Sequence, residues 1–585
     1  MAEGENIAAP DKTFRGIKLF WLVFAALNLV FLYYQVTFFI GNHDWDWVKG
    51  TTQVLRWDTG LFEGRYGKFI LNSALFGGQV FPLLNTWLAF ALLAAGTALL
   101  PAYWRLTVTS ARLAAALLPA LAPFILGWLY FPINILGNFA AVPLVVGGLM
   151  LAERPGYAAK TVAIVCFLLA LGIYPSAMEM MFVCLAFRGI LRLSGQKREL
   201  LPPLSSRPAA NLPQQQSAPG SSQHQSASGL SPRQSFFASP HQSASDPLPW
   251  LSSLVLPLAV VISSLILFKV LLALLAAVGI LYTGHYNVQT AALPELFSRL
   301  LPTAELVWNQ LWATLPFFPA DLKICGFLLI ITAAGVSAAC AYDRCPVDRA
   351  CYSVDGKVNR IIGLRCPVRV LWQIALWLVA LAATVLSAFL AAMPEEVAYM
   401  PRVNFYGLNF LYAGAAAVLL SGSRWQRNVG LVLAGLFLLL SVRQDFYAQK
   451  VWQLGKTAEE RLVERVSAQI EAVRPHTEPL TPVVAGELPL RPRYYAEKYA
   501  VSAPYVLNAP FVVRHIPSGM FNFYAVSPLF YGGSQIFSLS PELRRFLENA
   551  ASAWPAESSL FVDSEYAVIL LTPAGAAAIR AQMPK

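Results

Sequence analysis

The chain has 585 residues, of which 57% are hydrophobic and only 13% charged, with a formal net charge of +11; its mean hydropathy is +0.54. A soluble globular chain carries about 25% charged residues, so this composition excludes an ordinary soluble protein and points to many helices buried in lipid. The positive balance does not indicate a nucleic-acid partner, because the basic residues lie in loops between apolar runs, where cytoplasmic loops of membrane proteins collect them.

In chain order, the apolar runs predict about eleven membrane-spanning helices. They lie near 17–40, 79–100, 112–130, 134–152, 158–173, 176–193, 250–282, 322–341, 369–392, 405–421 and 428–446. The expected fold class is therefore an all-α polytopic membrane bundle, since a helix satisfies its own backbone in lipid. The first run is too long for a signal-peptide core and lacks a small-residue cleavage site, so it reads as a span. The fifth and sixth runs meet at Tyr174-Pro175 and read as a hairpin.

Charge orients the bundle. Arg105 and Arg112, Arg154 and Lys160, Arg188 and Arg192, then Arg344, Arg349 and Arg360, then Arg424 and Arg427 follow the even-numbered runs. The alternate loops carry acids: Asp44, Asp46, Asp58 and Glu63, then Glu295 and Glu305, then Glu395 and Glu396. This bias places the N terminus in the cytoplasm and the acidic loops outside. Residues 1–195 then form a first transmembrane region with an outward loop at 41–78. Residues 196–248, rich in Ser, Gln, Pro and Ala, read as a disordered cytoplasmic linker. Residues 249–446 form a second transmembrane region.

Hydropathy falls from 447 onward. An amphipathic helix at 457–473 precedes the strand-like runs TPVVAGEL, APFVVRHI, SLFVDS and YAVILLT, so 447–585 reads as a small extracytoplasmic α/β domain. Cys340, Cys345, Cys351 and Cys366 share one basic loop. That loop is expected to be reducing, and it has neither a His nor the paired spacing of a zinc site.

The densest chemistry lies in 41–68, GNHDWDWVKGTTQVLRWDTGLFEGRYGK. Asp44 and Asp46 can converge if the backbone is looped, and could then take a proton, hold a cation or position a divalent metal ion. Solvation of an interfacial loop anchored by Trp45 and Trp47 is the plainer account. Arg56, Arg65 and Lys68 are cations in an outward loop, where the positive-inside rule disfavours them. Pairing with Asp58 or Glu63 explains them in one way; holding a lipid-linked phosphate explains them in another. Glycines flank Arg65-Tyr66 and permit close backbone approach. Arg402, just before a late run, suits either a lipid phosphate or simple snorkelling to the interface. No Walker A, G-x-S-x-G, H-E-x-x-H or dinucleotide pattern occurs in a suitable context.

Taken together, Asp44-Trp45-Asp46 after the first run, Gly64-Arg65-Tyr66 before the second, the Gly172-Ile173-Tyr174 turn and Arg402 resemble the Gtr-type O-antigen glucosyltransferases. These are bacterial enzymes of the GT-C superfamily that decorate lipopolysaccharide and other cell-envelope glycans. The resemblance extends over about 14–470. Trp45 separates acids that this family places side by side, and Pro175 follows the Gly-Tyr turn where the family has Gln.

The resemblance implies a GT-C-like glycosyltransferase of the bacterial inner membrane with its C-terminal domain in the periplasm. It would move a sugar, such as glucose, from a polyprenyl-phosphate donor to a glycan or lipid-linked acceptor by an inverting single displacement. Asp44 or Asp46 would be the base. Arg56, Glu63, Arg65, Tyr66, Lys68, Tyr174 and Arg402 would bind substrate. No cofactor is implied beyond a possible divalent ion at Asp44 and Asp46. The alternatives are a flippase or transporter, or a polymerase or ligase, for lipid-linked saccharides. A transporter predicts charges and broken helices within the spans.

Overall fold

The computed structural model describes residues 12–37, 65–67, 70–71, 75, 81–129, 131, 134–194, 249–281, 298–299, 301–302, 305, 308, 319–343, 365–390, 405–473, 481–485, 498, 514–515, 540–550, 552–564 and 566–582. Asp44, Asp46, Arg56, Glu63, Lys68, Arg402 and the 196–248 linker lie outside the described residues.

The first half contains α1 (Lys12–Val30), α2 (Leu32–Thr37), α3 (Pro82–Tyr103), α4 (Thr109–Leu121), α5 (Leu126–Leu129), α6 (Ile135–Ala152), α7 (Tyr157–Ile173) and α8 (Ala177–Leu193). The second contains α9 (Pro249–Ala277), α10 (Ala320–Asp343), α11 (Arg365–Ala383), α12 (Leu386–Leu390), a π-helical turn (Phe405–Asn409), α13 (Phe410–Leu420) and α14 (Arg424–Val473). A helix lies at each apolar run. Six helices among the described residues are long and apolar enough to cross a membrane. Glu179, Arg188 and Arg192 interrupt the otherwise apolar sequence of α8.

Burial follows composition. The α6 sequence, ILGNFAAVPLVVGGLMLA, is apolar all round, as suits a helix enclosed by others. Phe139, Val142, Val146 and Leu149 are fully buried there against α3 and α7. By contrast, α9 leaves Val255, Ile262, Ile266 and Leu274 about half exposed, the surface that a lipid-facing helix presents.

Prolines shape one end of the bundle. In α4 the Pro119 carbonyl would ordinarily accept from the N–H of residue 123, but Pro123 has none. The Asn409 side-chain amide donates instead, at 3.1 Å to the Pro119 carbonyl and 3.2 Å to that of Ala122. This bond pins the π-helical turn to the end of α4.

The last apolar run and the amphipathic segment form one helix. Sequence patterning separates 428–446 from 457–473, yet α14 runs unbroken through both. The intervening YAQKVWQLGK contains no proline and only one poor helix former, Gly455. Beyond it, β1 (Thr481–Ala485), β2 (Arg514–His515), α15 (Pro541–Glu548), β3 (Leu560–Val562), β4 (Tyr566–Leu570) and α16 (Pro573–Gln582) form a small α/β unit.

Strand order in its sheet is β2-β1-β4-β3. The β1–β4 pair is parallel, with Val483 opposite Val568, and the β3–β4 pair is antiparallel. Each described strand falls within one of the four strand-like runs. The central strand β4, YAVIL, is buried at every position, which explains its continuous apolar character. Ser540 caps α15 by accepting from the Leu543 N–H at 3.1 Å. The unit attaches to α14 where the Trp554 indole donates to the Gln469 side chain at 3.1 Å and Arg465 lies 4.6 Å above the Trp554 ring.

Candidate functional site

Two of the sequence motifs meet at one end of the bundle. Tyr66 lies against the last turn of α7, its hydroxyl donating to the Leu168 carbonyl at 2.7 Å. Its ring lies so close to Gly172 that a Cβ there would come within 2.4 Å of it, and a Cβ on Gly67 would come within 2.6 Å of the Leu169 carbonyl oxygen. Glycine is thus required on both sides of the contact. Burial pushes the Tyr66 hydroxyl up to about 12, so it stays protonated and continues to donate at neutral pH.

This docking carries Arg65 over the Tyr174 ring, with the guanidinium carbon 5.2 Å from the ring centroid, within cation–π range. Tyr174 meets Trp128 edge-on at 4.8 Å, and Trp128 packs against Tyr406 at 6.0 Å. The Tyr406 hydroxyl donates to the Asn138 carbonyl at 2.6 Å. Together these form an aromatic wall behind one arginine.

Several buried polar groups at this end lack partners among the described residues. They include the Trp128 indole nitrogen, the Asn138 side-chain nitrogen, the Ser176 hydroxyl and one oxygen of Glu179. Glu179 is fully buried. Its Oε1 accepts from the Ser387 backbone N–H at 3.1 Å and from the Ser387 hydroxyl. Its Oε2 faces Gly407 of the π-helical turn, where an added Cβ would lie 3.1 Å away. Glu179 therefore sits between that turn and the break separating α11 from α12. Asp445 of α14 is also fully buried, and both its carboxylate oxygens lack partners among the described residues. A buried carboxylate without a compensating group is costly, and ionisable residues retained within spans are candidates for function.

The opposite end of the bundle is arranged differently. There Glu153, just beyond α6, accepts from Arg188 at 2.8 and 3.1 Å and from Arg105 at 3.3 Å. Arg188 also lies 5.7 Å over the Tyr103 ring. This is a compensated ionic cluster.

Of the residues singled out from sequence, Arg65, Tyr66 and Tyr174 are described, and all three are brought together. Asp44, Asp46, Arg56, Glu63, Lys68 and Arg402 lie outside the described residues. Sequence reasoning passed over Glu179 and Asp445. Their available signal was a single acid within an apolar or nearly apolar run, AMEMMFVCLA and LLLSVRQDFYA. Trp128 and Tyr406 gave no signal, because an aromatic within a span is ordinary packing material. Among the described residues, no three metal-capable side chains cluster.

The fold and this cluster define a multi-helix protein of membrane-spanning composition with an aromatic and polar site at one end. No family model, curated protein or solved structure matches the chain.

Proposed function

We propose that this end of the bundle faces the periplasm and transfers a hexose from a polyprenyl-phosphate donor to a hydroxyl of a surface glycan or lipid-linked acceptor. The observation that carries the proposal is Arg65 held over Tyr174 by the docking of Tyr66 and Gly67 on Gly172. It joins two segments far apart in sequence and fixes one cation on an aromatic wall. A departing lipid phosphate gains charge in the transition state, and a preorganised guanidinium stabilises that charge.

The acceptor oxygen attacks the anomeric carbon as the bond to the phosphate oxygen breaks. The acceptor proton passes to a carboxylate, for which Asp44 and Asp46 are the candidates. Arg56, Glu63, Lys68 and Arg402 are assigned to the same substrate pocket. The donor's own ester drives the reaction, so no nucleotide site is required.

The test is transfer of labelled glucose from polyprenyl-phosphate glucose in proteoliposomes, comparing wild type with Asp44→Asn and Asp46→Asn. One of the two variants is expected to lose transfer while its protein level and melting temperature are kept. Full rates in both would overturn the assignment of the base.

A second reading, movement of the lipid-linked saccharide across the membrane, is favoured by Glu179, an ionisable side chain buried between a helix break and a π-helical turn. Glu179→Gln separates the two. It keeps an acceptor for Ser387, so a transferase retains its rate, whereas a transporter gated by that carboxyl loses flux.

A further inference from the structure

Lys269 places a charge on the exposed side of α9. It is the one Lys, Arg, Asp or Glu between Asp246 and Glu295. Val261, Ser264, Phe268 and Leu272 form the buried stripe by which α9 packs on its neighbours. Leu258, Ile262, Ile266, Lys269 and Ala273 form an exposed stripe beside it, again at helical spacing. Lys269 lies about 12 Å before the end of α9 at Ala277, and the sequence stays uncharged beyond that end through Leu281. Among the described residues no carboxylate pairs with it. A charge within a span is costly, and such residues pair with another group or mark the path of a substrate. Snorkelling carries the ammonium toward the interface but supplies no counter-ion.

Lys269 also adjoins the site. Phe268, its neighbour in the chain, meets the Tyr66 ring at 6.3 Å, and Tyr66 is followed back along the chain by Arg65, which lies over Tyr174. One contact between aromatic rings therefore joins the helical turn that bears Lys269 to the segment that bears Arg65.

We infer that Lys269 binds the phosphate of the polyprenyl-phosphate donor on the bilayer side of the Tyr66–Phe268 contact, where the lipid arrives along α9. The inference deepens the transfer reaction proposed above and rests on it. The ammonium supplies a charge-assisted hydrogen bond to a phosphodiester oxygen. Leu258, Ile262 and Ile266 continue the exposed stripe away from Lys269 toward the start of α9, an apolar course for a prenyl chain. A bilayer phospholipid is the poorer occupant. Its glycerol backbone and two acyl chains hold its phosphate in the headgroup layer, whereas a prenyl phosphate carries the group directly on one chain and reaches deeper.

The experiment is native mass spectrometry of the full-length protein released from detergent, for wild type, Lys269→Gln and Lys269→Arg. Each is titrated with polyprenyl-phosphate glucose, with polyprenol, and with phosphatidylglycerol as competitor. Wild type and Lys269→Arg are expected to retain the phosphate lipid and not polyprenol. Lys269→Gln should weaken retention about tenfold, the size of one charge-assisted hydrogen bond, at an unchanged melting temperature. Equal retention by Lys269→Gln, equal retention of polyprenol, or displacement by equimolar phosphatidylglycerol would overturn the assignment. So would a wild-type dimer that Lys269→Gln dissociates, since the lysine would then belong to a contact between helices. Because retention is read without turnover, Lys269-dependent retention by a protein that transfers nothing would uphold the lipid site and refute the reaction. Transfer with an unchanged donor KM in Lys269→Gln would refute the site and leave the reaction standing.

Discussion

The two ends of this helical bundle spend their polar residues in opposite ways. At one end a single carboxylate, Glu153, is shared by Arg188 and Arg105, and an aromatic ring covers Arg188. At the other, among the described residues, Glu179 and Asp445 are fully buried without a cation, and Trp128, Asn138 and Ser176 each keep a buried polar atom without a partner. Compensated charges explain themselves as structure. Uncompensated buried groups reduce stability, and the sugar transfer proposed above would supply them with a ligand. On the proposed reaction, the first is an anchoring end and the second a working end.

The largest effect should come from the anchoring end. Arg188→Ala leaves the partly buried Glu153 with only its exposed partner Arg105. A loss of about 3 kcal/mol is expected, because breaking a buried pair strands a charge. It should appear as a lower melting temperature and poor yield, with the remaining folded protein transferring at the normal rate. Unchanged melting would erase the contrast between the ends.

At the working end, Arg65→Ala should lower transfer about 100-fold, the scale of one preorganised group acting on transition-state charge, while leaving melting nearly unchanged. Gly172→Ala sharpens the geometric claim. Its Cβ would clash with the Tyr66 ring at 2.4 Å, so transfer should fall about tenfold as Arg65 is displaced, given the sensitivity of catalysis to misplacements of about 1 Å. Tyr66→Leu, which removes the obstructing ring, should not add to that loss.

The smallest effect belongs to Arg105, which adopts φ 56° and whose side chain is 69% exposed in its pair with Glu153. Arg105→Gly removes a weak surface pair but relieves a left-handed backbone. It should change stability by no more than about 0.5 kcal/mol, read as a small shift in melting temperature.

Much of the fold was legible in the sequence because lipid imposes a length and a composition on each span. The helices lie on the apolar runs, and the described strands lie within the four strand-like runs. The extension of α14 through 447–456 was not legible, since the drop in hydropathy there marks a change of environment and not of backbone.

The site was legible where local chemistry was unusual. Gly64-Arg65-Tyr66-Gly67 stood out as a cation between glycines, and Gly172-Ile173-Tyr174 as a break between apolar helices. That Tyr66 packs on Gly172 could not be read from either segment alone, because only the tertiary fold supplies the contact. Glu179 escaped notice for the opposite reason. Its meaning comes from Ser387 and Gly407, which lie some two hundred positions away.

The central claim is that Arg65 on Tyr174 serves the reaction while Arg188 on Glu153 serves the fold. Its most direct test is the initial rate of sugar transfer from polyprenyl-phosphate glucose in proteoliposomes, normalised to folded protein, for wild type, Arg65→Ala and Arg188→Ala. The account predicts transfer by wild type and by Arg188→Ala, and a loss of about 100-fold in Arg65→Ala. Equal rates for wild type and Arg65→Ala, or no transfer by wild type, would contradict it.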